Sequence, residues 1–406
     1  MHLQPLSDDA LEQRFQDVDA FLITHQYLWR AVPFMERKLP WETDHPELAA
    51  WLRARSLNEA EADHTDVMRL EAPAPFSAWA QHARTLASIG ELPAARAREA
   101  SARLSTDVPG RKWMQIQAFA QRAFFSRPVS HWVDWCAGKG HLGRFLAQDG
   151  AALTALEFDP ALIAAGQSLS AHHGLHRAHH VLQDVLAPDA GRHLGPQSTP
   201  VALHACGELH VALLRQACAT RSPSLAIAPC CYNRITDVLY TPLSKAGAAS
   251  ALQLDRRDLG LPLTETVTAG QRVRQQRDQS MARRLAFDAL QRQVRGEDSY
   301  LPTPSLASHW LKVPLSEYCT HLADAKGIVL PRGIDWPVLE ETGRRRLAEV
   351  RNLELVRGLF RRPLEVWLLL DRALYLRERG YNVELGTFCD VRVSPRNLML
   401  VAELIE

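Results

Sequence analysis

The sequence predicts an α/β fold, a parallel sheet covered by helices on both faces, preceded by a helical segment and followed by a mainly helical insertion. Three observations predict it. Between Trp132 and Tyr232, short apolar runs alternate with helical patterns, which is the signature of parallel strands joined by helical crossovers. The stretch Asp134-Trp-Cys-Ala-Gly-Lys-Gly-His-Leu-Gly143 reads as a strand end, a tight turn and a helix start. The small and polar motifs then fall where the apolar runs end: residues 137–140, Glu157, Asp184, residues 204–207 and residues 229–232. In open α/β sheets, ligands bind at those carboxyl ends.

In chain order, residues 1–108 read as a helical domain. Leu11, Phe15, Val18 and Leu22 fall near helical spacing, and residues 46–57 resume the pattern with Leu48, Trp51 and Leu52 on one side. The plainer purpose of this segment is a cap burying Trp29, Phe34, Trp41 and Trp51; recruitment of a substrate is the alternative. Pro109-Gly110 marks a boundary. Trp113, Ile116, Ala120 and Phe124 then form one helical face, with Lys112 just before it.

Residues 109–232 hold the sheet, with strands expected at 131–135, 153–158, 180–182, 201–205 and 225–228. Residues 233–362 break the alternation. They carry 21 Lys and Arg against 15 Asp and Glu, with seven arginines in 272–295. This insertion reads as a basic lid facing phosphate or an acidic protein, or as an arginine-rich solvated helix. Aromatic residues are too sparse there for a single-strand RNA platform. Residues 363–406 return to the sheet, with a helix at 363–379 ended by Gly380 and a terminal hairpin of 381–389 and 397–405, giving seven strands in all.

Composition narrows the classes. The 406 residues are 46% hydrophobic, ample for two or three domains, and the formal charge of +1 gives no global nucleic-acid or membrane signal. No apolar run approaches the roughly 18 residues of a membrane span, and Asp8, Asp9 and Glu12 leave no apolar signal core near the N-terminus. Seven cysteines, two of them adjacent, suit reduced thiols in a cytoplasmic protein better than a disulfide framework. Oligomeric state is not readable.

The glycine turn defines the expected cofactor. Gly138 and Gly140 let the backbone approach a ligand that a Cβ would exclude, and the amides of the following helix start would face it. The spacing Gly138-x-Gly140-x-x-Gly143 also fits a dinucleotide fingerprint. Asp134, placed before the turn to meet an ammonium group, favours S-adenosylmethionine over NAD, because dinucleotide sites stay hydrophobic up to the first glycine. Glu157, at the tip of the second strand, suits a ribose diol, and Asp184 an adenine edge. The expected cofactor set is Asp134, Ala137, Gly138, Gly140, His141, Leu142, Glu157, Asp184 and His204.

Asp134–Gly143, Val201-Ala-Leu-His-Ala-Cys-Gly207, Pro229-Cys-Cys-Tyr232 and Ser394-Pro-Arg-Asn-Leu-Met-Leu400 together resemble the methyltransferase-like protein 25 family. The first three resemble more closely the methyltransferase domain of the glutathione S-transferase C-terminal domain-containing protein. A more distant similarity is to eukaryotic tRNA ribose 2′-O-methyltransferases, which carry a His-x-Cys-Gly and a Cys-Cys-His. The resemblance covers roughly residues 109–232 and 363–406. It implies a class I methyltransferase (Rossmann-like) sheet and S-adenosylmethionine as cofactor, more firmly than any substrate; RNA (tRNA or rRNA) is the expected acceptor, with a protein or small molecule, or a scaffold without catalysis, as the alternatives.

Methyl transfer needs a positioned acceptor and, for some acceptors, a base. His204, Cys206, Cys230, Cys231 and Tyr232 are the candidates. His204 accepts a proton near neutral pH or simply fixes its turn, and Tyr232 stacks on a base or closes the pocket. Cytosine-C5 methyltransferases place cysteines at the same two strand ends, but their Asp-x-Pro-Cys is absent here, so Cys206 and Cys230 are expected to be pocket walls that form no thioether. The Asn/Asp-Pro-Pro-Phe/Tyr signature is also absent, which argues against adenine-N6 and glutamine methylation. His204, Cys206, His210, Cys230 and Cys231 match no standard metal spacing. His172 and His176, at i and i+4, lack completing ligands and read as a solvated helix end, so no metal is assigned.

Overall fold

The computed structural model describes residues 3–64, 66–95, 102–105, 108–264 and 270–405. Among the described residues, one mixed sheet has eight strands: β1 (Leu6–Ser7), β2 (His131–Trp135), β3 (Ala152–Glu157), β4 (Ala178–Leu182), β5 (Thr199–Cys206), β6 (Ser224–Cys230), β7 (Tyr381–Thr387) and β8 (Leu398–Leu404). Their order across the sheet is β1-β7-β8-β6-β5-β2-β3-β4. The five strands β2 to β6 are parallel, and β8 enters antiparallel to both β6 and β7. The α/β expectation therefore holds, with eight strands where seven were expected. The extra one, β1, pairs through Leu6 and Ser7 alone with β7, too short to leave a period in the sequence.

The central strands are apolar because both faces are covered. Every residue of β6 is buried, as a strand inside a parallel sheet requires. The helix Gly110–Arg122 lays Ile116, Phe119 and Ala120 in one core with Trp132, Leu153, Val201 and Ala226. The helix Arg361–Arg377 buries nearly its whole length. Trp367 on it lies 5.3 Å from the ring of Phe15 and donates to Asp19 Oδ1 at 2.8 Å. That contact fixes the first helix, Asp8–Thr24, to the helix that carries Trp367.

The chain folds into two compact units, neither continuous in sequence: Met1–Ile23 with Leu86–Glu265 and Arg362–Glu406, and Thr24–Thr85 with Thr266–Arg361. The expected division into domains 1–108, 109–232, 233–362 and 363–406 is thus redistributed. The first helix and the stretch from Leu86 group with the sheet, and Thr24–Thr85 shares a unit with most of the insertion.

Charged pairs tie the helices of the second unit together. Glu61 accepts from Arg351 at 2.7 Å and Arg277 at 3.0 Å, Arg53 bridges Glu42 and Glu349, and Arg357 donates to the Trp29 carbonyl at 2.8 Å. Trp29 and Trp41 are fully buried there, as expected of a cap, while Phe34 and Trp51 are half-buried. No described helix is long and apolar enough to cross a membrane.

Chain order leads from β2 outward to β3 and β4, then back to β5 on the other side of β2. The crevice where that direction reverses is where a sheet of this kind leaves room for a ligand.

Candidate functional site

The turn after β2 is built from left-handed residues. Cys136, Gly138 and Gly140 have φ of 60°, 57° and 72°. Ala137 N–H donates to the Leu156 carbonyl, and Gly138 N–H to Glu157 Oε2 at 2.8 Å. The three glycines differ in purpose. A Cβ on Gly138 would meet nothing within 4 Å, so this one opens onto free space. A Cβ on Gly140 would lie 2.6 Å from His180 Cε1, and one on Gly143 would lie 2.5 Å from Leu153. Gly140 and Gly143 thus permit internal packing, whereas Gly138 faces open space. The helix that follows, His141–Leu146, is short, and its Gly143 N–H is taken by Asp134 Oδ2 at 2.9 Å.

Over this turn lies a cavity of about 430 Å³, lined by Asp134, Cys136, Ala137, Gly138, His141 and Leu142 from the turn, by Arg111, Lys112 and Gln115 from the preceding helix, and by His204 from β5. Its size is that of a small-molecule site. Asp134 is 3% exposed, and burial pushes its carboxyl up to about 7 despite the Gly143 N–H. A buried acid in a cavity wall is stabilised in its ionised form by a bound cation. His141 is held neutral, its pKa lowered to about 4 by burial and by Arg144, which lies 2.8 Å from its Nδ1.

Glu157 and Asp184 stand beside the cavity rather than in its lining. Burial first, then Glu157, Asp134 and Asp184 among its neighbours, push the Cys136 thiol up to about 12. Glu157 also accepts from the Phe158 and Asp159 amides at 2.9 and 3.1 Å. With Gly138, that makes three bonds on a carboxylate that offers about four sites. Asp184 accepts from the Leu186 amide at 2.9 Å.

His204 sits at φ 67°, and its Nε2 lies 2.8 Å from Gln115 Oε1. The amide of Gln115 is oriented by donating to the Val393 carbonyl at 3.0 Å, so its oxygen faces the imidazole and His204 carries its proton on Nε2. Burial lowers the His204 pKa to about 4, with Arg396 and Lys112 adding to it, leaving a neutral ring whose Nδ1 can accept a proton. Gln115 left no signal in the sequence, because a polar residue on a helix reads as solvent-facing. Arg396 lies within the terminal motif already singled out.

Cys206 and Cys230 are register partners on β5 and β6, and their sulfurs lie 3.4 Å apart. Cys231 joins them, so that all three sulfurs fall within 4.8 Å of one another. The hydrogen bond from Cys230 holds the Cys206 thiol down at about 6 against the effect of burial, with Cys231 and Arg234 helping, and the same bond pushes Cys230 up. All seven cysteines are free.

Tyr232 is 1% exposed and therefore does not stack on a base. Its ring lies against Arg372 and edge-on to His210, and its hydroxyl is buried without a partner. Both His210 nitrogens are engaged, Nδ1 with the Ala205 carbonyl and Nε2 with Arg372, which separates His210 from the cysteines. His172 and His176 are exposed and belong to no candidate metal group among the described residues.

The arginine run does not present a free basic face. Arg277 meets Glu61 and Asp278, Arg283 donates to the carbonyls of Trp310 and Val313, Arg284 to that of Pro304, Arg292 binds Asp288, and Arg295 binds Glu297. Five of the seven arginines are therefore bonded within their own unit, while Arg272 and Arg274 are exposed.

Residues 111–238 match the family model for a methyltransferase domain, so β2 to β6 and the crevice at their carboxyl ends form a methyltransferase domain. Among solved structures, the chain is similar to TrmN from Thermus thermophilus (18% identity, 31% of this chain and 41% of that chain, TM-score 0.27). It is also similar to an rRNA methylase from Streptococcus thermophilus (15% identity, 30% of this chain and 71% of that, TM-score 0.23) and to magnesium protoporphyrin IX methyltransferase from Synechocystis PCC 6803 (15%, 32% of this chain and 64% of that, TM-score 0.25). The match thus spans about two fifths of the first of these chains.

Proposed function

Starting from a methyltransferase domain at residues 111–238, we propose that this protein uses S-adenosylmethionine to methylate RNA. The observation that carries the cofactor reading is Asp134, a buried carboxylate in the wall of a cavity of fitting size beneath an open Gly138. Asp134 would hold the amino group, the remaining site on Glu157 a ribose hydroxyl, and Lys112 or Arg111 the carboxylate; Ala137, Gly138, His141 and Leu142 would line the rest. The cofactor supplies an activated methyl group, so the protein has only to place the acceptor in line and exclude water. His204, neutral and with its proton on Nε2, lines the same cavity and would orient the acceptor by hydrogen bonding rather than act as a strong base.

The acceptor reading rests on charge. Arg111 and Lys112 line the cavity, Arg396 acts on His204, and Arg234 acts on Cys206. Two cations in the cavity wall, with Arg396 and Arg234 acting on His204 and Cys206 at the neighbouring strand ends, suit a phosphate-bearing chain, whose backbone positions a base or ribose without being read itself. The test is transfer from methyl-tritiated S-adenosylmethionine into a cell extract, followed by nuclease or protease. Nuclease-sensitive label is expected. Label that only protease releases, or that stays with small molecules, overturns the RNA reading while leaving the cofactor reading intact; failure to bind S-adenosylhomocysteine overturns both.

A further inference from the structure

We infer that Cys206, Cys230 and Cys231 form a binding site for a thiophilic metal ion, most simply Zn²⁺, held by three thiolates with a fourth position open. The inference stands on geometry at the ends of β5 and β6 and does not depend on methyl transfer. Zinc bound by cysteine takes Zn–S distances near 2.3 Å in a tetrahedron, which sets neighbouring sulfurs about 3.8 Å apart. The Cys206 and Cys230 sulfurs are 3.4 Å apart, and all three lie within 4.8 Å of each other.

The backbone already holds this arrangement. Cys206 and Cys230 face each other in register across the parallel pair. Cys231 is carried round to them by a left-handed φ of 49°, a conformation unfavourable for a cysteine and seen where the surroundings impose it. The Gly207 N–H donates to the Cys230 carbonyl at 3.0 Å, and a Cβ on Gly207 would lie 2.1 Å from the Arg234 carbonyl oxygen. The strand end and the following turn are therefore pressed together, and the sulfurs cannot drift apart cheaply.

The thiols are poorly provided for otherwise. Cys206 and Cys230 share one carbonyl acceptor, that of His204, at 3.5 and 3.4 Å. Soft thiolate ligands select zinc, copper(I) and iron–sulfur centres over hard cations. Three protein ligands with an open fourth position is the pattern of a zinc site that takes water or a substrate atom. Binding releases the thiol protons to solvent, and no change of oxidation state is involved.

The test uses the whole protein, purified under reducing conditions without chelator. Metal analysis is expected to find one zinc per chain after dialysis. Cobalt(II) substitution is expected to give an intense thiolate-to-cobalt charge-transfer band and tetrahedral d–d absorption. Cys206→Ser, Cys230→Ser and Cys231→Ser should each weaken zinc binding at least tenfold against a zinc-binding dye, and Cys218→Ser should not. Alkylation mapped by mass spectrometry covers variants that fail to fold, since added Zn²⁺ should protect these three cysteines in the unaltered protein and spare no other. No retained zinc and no cobalt band, equal alkylation with and without zinc, or a Cys206–Cys230 disulfide in the reduced preparation would each overturn the inference.

Discussion

Asp134 Oδ2 accepts the Gly143 N–H at 2.9 Å, tying the end of β2 to the helix behind the glycine turn. This bond is too little to offset burial, and the carboxyl is pushed from 3.8 up to about 7. The folded protein therefore binds this proton more tightly than the unfolded chain does. The stability the group allows is fully present below pH ~4 and is lost as pH rises towards 7, on the order of 4 kcal/mol at the limit. Denaturant unfolding of the protein and of Asp134→Asn, compared from pH 4 to 8, should show the variant gaining relative stability up to about pH 7 and levelling off above it. A difference that does not change with pH would show that Asp134 is ionised throughout.

The same substitution should act oppositely on the cofactor. An ammonium group binds the ionised carboxylate, so affinity for S-adenosylhomocysteine should rise with pH to about 7 in the protein and not in Asp134→Asn. Calorimetry across that range is the check, and parallel pH profiles would remove Asp134 from the cofactor site.

Glu157 joins the turn to the tip of β3 through Gly138 and has capacity left for a hydroxyl. Glu157→Ala should weaken S-adenosylhomocysteine by about 1–3 kcal/mol, through loss of charge-assisted hydrogen bonds. Unchanged affinity in calorimetry sinks the ribose assignment.

His180 is wedged against two glycines: a Cβ on Gly166 would lie 2.5 Å from its ring, and one on Gly140 2.6 Å. Gly166→Ala should cost about 1–3 kcal/mol by overpacking, and His180→Ala in the same chain should recover part of it. Gly140→Ala should recover less, because its φ of 72° is strained for alanine whatever the neighbour. Thermal melts of the four variants distinguish these cases; equal recovery would mean that φ is not the limiting factor.

For RNA, the informative cations are those at the cavity. Arg111→Ala with Lys112→Ala should flatten the salt dependence of RNA binding by roughly 0.7 in log–log slope for each phosphate that is no longer neutralised. Arg283→Glu with Arg284→Glu should instead lower the melting temperature of the second unit, since these side chains hold the carbonyls of Trp310, Val313 and Pro304. A stable double variant that alone fails to bind RNA would restore the insertion as the RNA-binding face.

The parallel core, the glycine turn and the residues gathered at its strand ends were all written in the linear chain. These are local matters: apolar runs, turn chemistry and a strand's length fix where each motif surfaces. Asp134, Gly138 and His204 were legible for that reason. The rest depended on what the fold brings together. Gly140 turned inward because His180, forty residues later, occupies the space beside it. Tyr232 went into the interior against Arg372, and the arginines of 272–295 found carbonyls and carboxylates that no spacing announces. Gln115 became the partner of His204 across 89 residues. A pattern along the chain records which face a residue takes on its own element, but a charge or a hydrogen bond is settled by what another element brings to it.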